Sequence, residues 1–148
     1  MEPPEVSIDK SRFRVLVVDD EMSLLRFIER TLKHKGISAV GAANGAEGLK
    51  AFLANRESIE LVILDMMMPG MSGLDLAAEL ERRRPGLKIL YISGHGASIA
   101  MESILRQSAD RVLLKPFTAL DLVERVAHLL GVADSRGQGP GLWQHESA

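Results

Sequence analysis

Short apolar runs alternate with segments of helical periodicity along most of the chain. The apolar runs predict five strands, at residues 13–18, 37–40, 61–64, 87–92 and 111–114. After each run, apolar residues recur at spacings of three and four, which predicts an amphipathic helix. Near-continuously apolar strands with helical crossovers are typical of a parallel sheet covered by helices on both faces. The sequence therefore predicts an α/β, doubly wound fold.

Capping and stop residues mark the ends of the predicted helices. Asn44 is followed by Glu47 at the position of a reciprocal capping partner, and Gly131 supplies a stop for the last helix. The fourth helix is expected at about residues 98–107, with apolar residues along one side. The predicted N-terminal caps of the second, third and last helices are Asn44, Ser72 and Thr118.

Length and composition indicate one globular domain between two tails. The chain has 148 residues, of which 46% are hydrophobic and 26% charged. Residues 1–11 and 132–148 are polar or rich in glycine and proline, so we expect flexible tails around a domain at 12–131. The second tail could equally begin a linker. Its lone tryptophan, Trp143, could dock on the domain or mark that linker.

Several function classes are excluded or disfavoured by composition. The absence of cysteine excludes disulfides, thiolate catalysis and cysteine-based zinc sites, and it points to a reducing, cytoplasmic location. No apolar run is long enough to span a bilayer and no secretory signal opens the chain, so we expect no membrane association. With a net charge of −2, the chain lacks the basic footprint of a nucleic-acid-binding domain.

Polar side chains follow four of the five predicted strands. In open parallel sheets, ligands bind outside the carboxyl ends of the strands. Asp65 follows Asp20 by 45 residues, Ser93 follows Asp65 by 28, and Lys115 follows Ser93 by 22. Each gap is about the length of one β-α unit. We therefore expect one edge of the sheet to gather three carboxylates, a hydroxyl and an ammonium, those of Asp19, Asp20, Asp65, Ser93 and Lys115.

The chemistry of this set is coherent. Asp65 ends an apolar strand, where an unpaired buried charge costs several kcal/mol, so it must reach solvent or meet a cation. Carboxylates that share a crevice favour a hard cation such as Mg²⁺, Mn²⁺ or Ca²⁺. An aspartate can also attack phosphorus, and the charge that develops then needs a metal, an ammonium and a hydroxyl donor. Lys115 and Ser93 could supply the last two.

Four motifs carry a resemblance to a known family. VLVVDDE, ILDMMMPGMSG, LYISGHG and LLKPF occur in this order, each at the end of a predicted strand. Each motif alone is weak, but the ordered set resembles the receiver domain of two-component response regulators, the CheY-like family. The similarity covers about residues 13–131. It implies a flavodoxin-like, five-stranded parallel sheet with strand order 2-1-3-4-5.

The resemblance implies a role for each acidic residue. Asp65 would be the phosphoacceptor and would also contact the metal, which is Mg²⁺ in this family, with Mn²⁺ as a substitute. Asp20 would ligate the metal directly and Asp19 mostly through water. The backbone carbonyl of Met67 would complete the protein ligands.

The resemblance also implies the phosphate contacts. Ser93, Gly94 and Lys115 would surround the phosphoryl group, and the Lys115–Pro116 bond would be cis. One position departs from the family pattern, because Val112 stands where a Tyr or Phe is often found. A signal would then be expected to travel through the loop after Ser93, the following helix and the last strand.

The implied function is a signalling switch without enzymatic turnover. A histidine kinase or phosphotransfer protein would donate the phosphoryl group, and the output would be a downstream protein partner or a fused output domain. A homodimer through the face at 98–131 is a further expectation. Two alternatives stay open: an interaction module with a vestigial site, and a Mg²⁺-dependent phosphohydrolase. Such hydrolases usually carry a second aspartate where Met67 stands.

Overall fold

The computed structural model describes residues 13–68, 70, 72–94, 103 and 106–131. Both predicted tails, Trp143 and most of the predicted helix at 98–107 lie outside these residues. None of the described helices is long and apolar enough to cross a membrane. The strands are β1 (Val15–Val18), β2 (Ala39–Ala42), β3 (Leu61–Asp65), β4 (Lys88–Ser93) and β5 (Val112–Leu114). The helices are α1 (Met22–His34), α2 (Gly45–Ala54), α3 (Gly73–Arg83) and α4 (Ala119–Leu130), with a 3-10 turn at Ala109–Arg111.

The five strands form one parallel sheet with the order β2-β1-β3-β4-β5. This order confirms the doubly wound fold and the 2-1-3-4-5 topology. β1 and β3 are buried along their whole length, which explains why β1 is apolar throughout and β3 is apolar up to its last residue, Asp65. Both faces of the central strands must therefore be covered by helices.

Two apolar clusters cover the two faces of the sheet. On one face, Leu25 and Ile28 of α1 pack with Leu122 and Val126 of α4 against Val15, Val17, Leu61 and Ile63 of the sheet. On the opposite face, Phe52 of α2 and Leu76, Ala77 and Leu80 of α3 pack against Leu16, Val18, Val62 and Leu64. Alternate residues of each strand enter opposite clusters, as the pleat requires. The helices on both faces were correctly predicted.

The strand boundaries lie within two residues of those predicted from the sequence. The largest correction concerns β2, predicted at 37–40 and observed at Ala39–Ala42. Ile37 is apolar and buried, as a strand residue would be. Its N–H, however, donates to the carbonyl of Leu32 at 2.9 Å, so this residue completes the end of α1 before the strand begins.

The cap predictions for α3 and α4 are confirmed. The Ser72 hydroxyl accepts the N–H of Asp75 at 3.2 Å. The Thr118 hydroxyl accepts the N–H of Asp121 at 3.0 Å, and the Asp121 carboxylate accepts the N–H of Thr118 at 2.9 Å. Gly131 ends α4 with a φ of 69°, the left-handed conformation that glycine adopts without strain.

The cap of α2 is confirmed in part. The Asn44 side chain accepts the N–H of Glu47 at 2.8 Å, as predicted. The reciprocal bond is different, because the Glu47 carboxylate accepts the N–H of Ala43 at 3.4 Å and not that of Asn44. The cap residue was therefore readable from the sequence, while the acceptor geometry of its partner was not.

Candidate functional site

The sheet register brings the polar strand ends together. Val18 of β1 is paired with Leu64 of β3, so the next residues, Asp19 and Asp65, lie side by side. Ser93 ends β4 and is paired with Leu114 of β5. The N–H of the following residue, Lys115, donates to the Ser93 carbonyl at 2.8 Å. Three adjacent strands and the end of β5 therefore deliver their polar groups to one edge.

Three carboxylates form a compact cluster at this edge. Asp19, Asp20 and Asp65 each offer an oxygen within 4.8 Å of the other two. Asp19 and Asp65 are 1% and 5% exposed, whereas Asp20 is exposed to solvent. The cluster thus has two carboxylates in the protein interior and one at the mouth of the crevice.

A backbone amide two residues further along holds each buried carboxylate. The N–H of Glu21 donates to Oδ1 of Asp19 at 2.8 Å, and the N–H of Met67 donates to Oδ1 of Asp65 at 3.0 Å. Such local bonds are favoured by aspartate in turns and orient its side chain. Oδ2 of Asp19 is buried and has no hydrogen-bond partner within the described part of the chain. That oxygen needs a partner, which a ligand can supply.

Burial raises the pKa of Asp19 from 3.8 to about 7, because its charged form loses hydration. The negative charge of Asp65 adds to the increase, while the Glu21 amide and the Lys115 ammonium oppose it. A divalent cation would relieve both the desolvation and the repulsion. The donor set contains only carboxylate oxygens, and one of them lacks a hydrogen-bond partner among the described residues, so the set fits a hard cation of the Mg²⁺ type.

Ser93 and Lys115 complete the edge beside the carboxylates. Ser93 is 4% exposed, and its hydroxyl lies 3.4 Å from the Gly94 carbonyl, a long hydrogen bond that a better acceptor could replace. The Lys115 ammonium lies 3.9 Å from a carboxylate oxygen of Glu21. The peptide bond between Lys115 and Pro116 is cis, as expected. A Cβ at Gly94 would lie 3.8 Å from Cδ of Lys115, an ordinary contact, so the described residues alone do not require glycine there.

Met67 contacts the carboxylate cluster through its backbone, whereas Val112 lies in the core. The Met67 side chain is 72% exposed while its N–H is bonded to Asp65, so its side-chain identity matters little to the carboxylates. Val112 is 3% exposed and belongs to the buried cluster on the α2–α3 face. Its register partner on β4 is Tyr91, which is also buried, so an aromatic ring lies one strand away.

Sequence reasoning missed Gly73, the first residue of α3. A Cβ at this position would lie 2.5 Å from the carbonyl oxygen of Asp65 and 3.0 Å from Cα of Met66. Glycine therefore lets α3 begin directly against the backbone that carries Asp65. A signal was present, because glycine is a poor helix former and here directly follows the Ser72 cap.

Comparison with known proteins identifies the family. A family model described as the response regulator receiver domain matches residues 15–127 of this chain. The chain belongs to this family. It is a signalling domain of two-component systems, and receiver domains bind Mg²⁺ at an acidic pocket.

Curated relatives of this receiver domain are longer proteins. It is 36% identical over 102 residues to the transcriptional regulatory protein GlrR of Escherichia coli K12, a match that covers 69% of this chain and 22% of that protein. It is 32% identical over 138 residues to the DNA-binding response regulator MtrA of Mycobacterium bovis, covering 86% of this chain and 59% of that protein. The chain therefore spans only part of the length of these relatives.

Solved receiver domains share the fold. One neighbour is a response regulator receiver domain protein from Clostridium thermocellum, with a TM-score of 0.73 and 33% identity, covering 80% of this chain and 94% of that one. Another is the receiver domain of NtrX from Brucella abortus, with a TM-score of 0.69 and 31% identity, covering 78% and 97%. These similarities favour a signalling domain over a hydrolase with many turnovers.

Proposed function

We propose that this receiver is a switch that accepts a phosphoryl group on Asp65 from a histidine kinase or phosphotransfer protein. The observation that carries the proposal is the position of Asp65. It ends a fully buried strand, is itself 5% exposed, and shares an edge with two further carboxylates. A rigid scaffold therefore presents one reactive carboxylate at a place where a cation can be bound.

In this proposal the carboxylates of Asp19, Asp20 and Asp65 and the backbone carbonyl of Met67 hold Mg²⁺, which Mn²⁺ can replace. The bound ion supplies positive charge that offsets the charge of the phosphoryl oxygens. Two observations support a cation site: Oδ2 of Asp19 has no hydrogen-bond partner in the part of the chain that the structure describes, and the pKa of this residue is raised.

Each residue of the site then has a distinct role in phosphoryl transfer. A carboxylate oxygen of Asp65 attacks phosphorus, and the bond from phosphorus to the leaving group of the donor breaks. The Met67 N–H restrains one Asp65 oxygen, so the carboxylate is oriented before the donor arrives. Lys115 and the Ser93 hydroxyl donate to the transferred oxygens, and the Gly94 backbone closes the same edge. Slow attack by water returns free Asp65 and inorganic phosphate, so the chain modifies itself without sustained turnover.

The proposed output is a change in the surface that binds a partner. The Lys115 N–H donates to the Ser93 carbonyl, so we expect a movement of either residue to be transmitted to β5 and Val112. The recipient of the signal is a downstream protein or a fused output domain. We also propose that the output can be a homodimer through the face at 98–131. We also propose that the domain extends from residue 12 to residue 131 and that it lies in the cytoplasm. We do not expect this domain to bind nucleic acid directly.

The decisive experiment is intact mass spectrometry after incubation with acetyl phosphate and Mg²⁺. We expect one phosphoryl adduct in the wild type and none in Asp65→Asn or without the metal. Asp110→Asn is a matched control. Asp110 lies in the 3-10 turn before β5, where it contacts His128 of α4, so the variant should leave the adduct intact. A folded wild type without an adduct, or an adduct that persists in Asp65→Asn, would contradict the proposal. Continuous release of phosphate would favour the hydrolase.

A further inference from the structure

Glu21 contacts both Asp19 and Lys115, and the phosphoryl transfer proposed for Asp65 assigns it no role. It is the N-cap of α1, and its N–H donates to Asp19 at 2.8 Å. One side-chain oxygen lies 3.9 Å from the Lys115 ammonium, and the other accepts from the Ser23 hydroxyl at 3.4 Å. Among the described carboxylates, that of Glu21 is the one within ion-pair distance of Lys115.

We propose that Glu21 is a positioning residue that holds the Lys115 ammonium at the rim of the site until a phosphoryl group arrives. This inference rests on the proposed phosphorylation of Asp65. In the resting state, the pair with Glu21 keeps Lys115 within reach of the site but engaged with a carboxylate other than the nucleophile.

The proposed exchange follows from the charges and exposures involved. The Glu21 side chain is 59% exposed and that of Lys115 is 31% exposed, so water and salt weaken their attraction. A phosphoryl group carries up to two negative charges and several strong acceptor oxygens. When Asp65 forms its bond to phosphorus and the donor's leaving group departs, Lys115 therefore exchanges Glu21 for a phosphoryl oxygen. A weak resting pair makes this exchange easy.

The test is a double-mutant cycle on the rate of phosphorylation by acetyl phosphate. In Glu21→Gln, Lys115 loses its ion-pair partner, so the donor concentration at half-maximal rate should fall roughly two- to fivefold, the size typical of exposed ion pairs. In the Lys115→Ala background, the same Glu21→Gln change should have little further effect. Glu21→Asp should retain part of the wild-type behaviour, because it keeps the charge.

Two controls separate this role from general changes in charge or folding. Glu57→Gln removes the same charge from an exposed residue in the turn before β3, at the opposite edge of the sheet, and should leave the half-maximal concentration unchanged. The effect of Glu21→Gln should also shrink in high salt, whereas an effect on folding would not. Equal effects of Glu21→Gln with and without Lys115, or no effect at all, would overturn the inference.

Failure of this inference is distinguishable from failure of the proposed function. If wild-type protein forms no adduct on Asp65, the proposed function fails and the inference fails with it. If the wild type forms the Mg²⁺-dependent adduct and the cycle shows no coupling between Glu21 and Lys115, only the role of Glu21 is overturned.

Discussion

At the scale of single residues, Asp19 has the least exposed carboxylate among the described residues. It is 1% exposed, and one of its oxygens has no hydrogen-bond partner among the described residues. Its pKa is about 7 in the folded protein and close to 3.8 in an unfolded chain. The charged form is therefore disfavoured by folding, and without metal the residue lowers stability at every pH at which it is ionised in the unfolded chain.

We predict that Asp19→Asn stabilises the metal-free protein at pH 8. The folded pKa is raised, so Asp19 has no stability penalty below about pH 3.8. The penalty grows as pH rises toward about 7 and is fully present above it. Because one pKa unit corresponds to about 1.4 kcal/mol, the variant should gain on the order of 2–4 kcal/mol at pH 8 and little at pH 4. Urea unfolding in a chelator measures this difference, and an equal or lower midpoint for the variant at pH 8 would contradict it.

At the scale of secondary structure, the connection from β3 to α3 sets the position of Asp65. The strand holds the residue from one side, and the first turn of α3 approaches its carbonyl from the other. The N–H of Met67 then fixes the side chain. The Gly73 contact leaves no room for a methyl group, so the spacing between strand and helix depends on glycine.

We predict that Gly73→Ala weakens both folding and metal binding. The added Cβ must displace α3 or the Asp65 backbone, and overpacking of this kind costs typically about 1–3 kcal/mol. Because the displaced backbone carries two of the proposed metal contacts, Mg²⁺ affinity should fall as well. Urea unfolding and titration calorimetry measure the two effects.

A matched variant is Gly86→Ala in the turn between α3 and β4. Gly86 has a φ of 86°, and no atom of the described residues lies within 4 Å of an added Cβ, so alanine there costs backbone strain of roughly 1–2 kcal/mol without touching the site. It should lower stability and leave Mg²⁺ affinity unchanged. Wild-type metal affinity in Gly73→Ala would show that α3 does not set the geometry of Asp65.

At the scale of the whole molecule, the site joins loops that are supported by opposite faces of the sheet. α1, which follows Asp19 and Asp20, packs on one face, whereas α3, which follows Asp65, packs on the other. A metal that binds all three aspartates would tie these layers together. Any ligand that binds only the folded state raises the apparent stability of the entire domain.

We predict that Mg²⁺ raises the unfolding midpoint and that the increase depends on pH. At a concentration about 100 times the dissociation constant, the gain should be about 2.7 kcal/mol. Protonated Asp19 is a poor ligand, so affinity should fall as pH falls through about 7, and the increase should be larger at pH 8 than at pH 5.5. Asp19→Asn should lose most of the increase and Glu57→Gln none. An increase that is independent of pH would exclude Asp19 as a titrating ligand.

Some features of this protein could be predicted because they depend on local sequence. Periodicity identified all five strands and the helices that the structure describes, and the hydroxyl caps Ser72 and Thr118 were correct. The strand ends could also be predicted to converge, since parallel strands place their carboxyl ends at one edge. The start of β2 was wrong by two residues because Ile37 is equally apolar in a strand and at the end of a helix.

The sequence by itself determined which residues line the edge: two aspartates after β1, one at the end of β3, a serine at the end of β4 and a lysine after β5. Only the tertiary structure decided how these groups affect one another. The raised pKa of Asp19 and the pair between Glu21 and Lys115 involve residues that follow different strands, and the contact that requires Gly73 joins β3 to the helix that follows it. Burial, charge interaction and steric contact depend on distances in space, and a linear pattern contains no such distances until the sheet order and the helix packing are established.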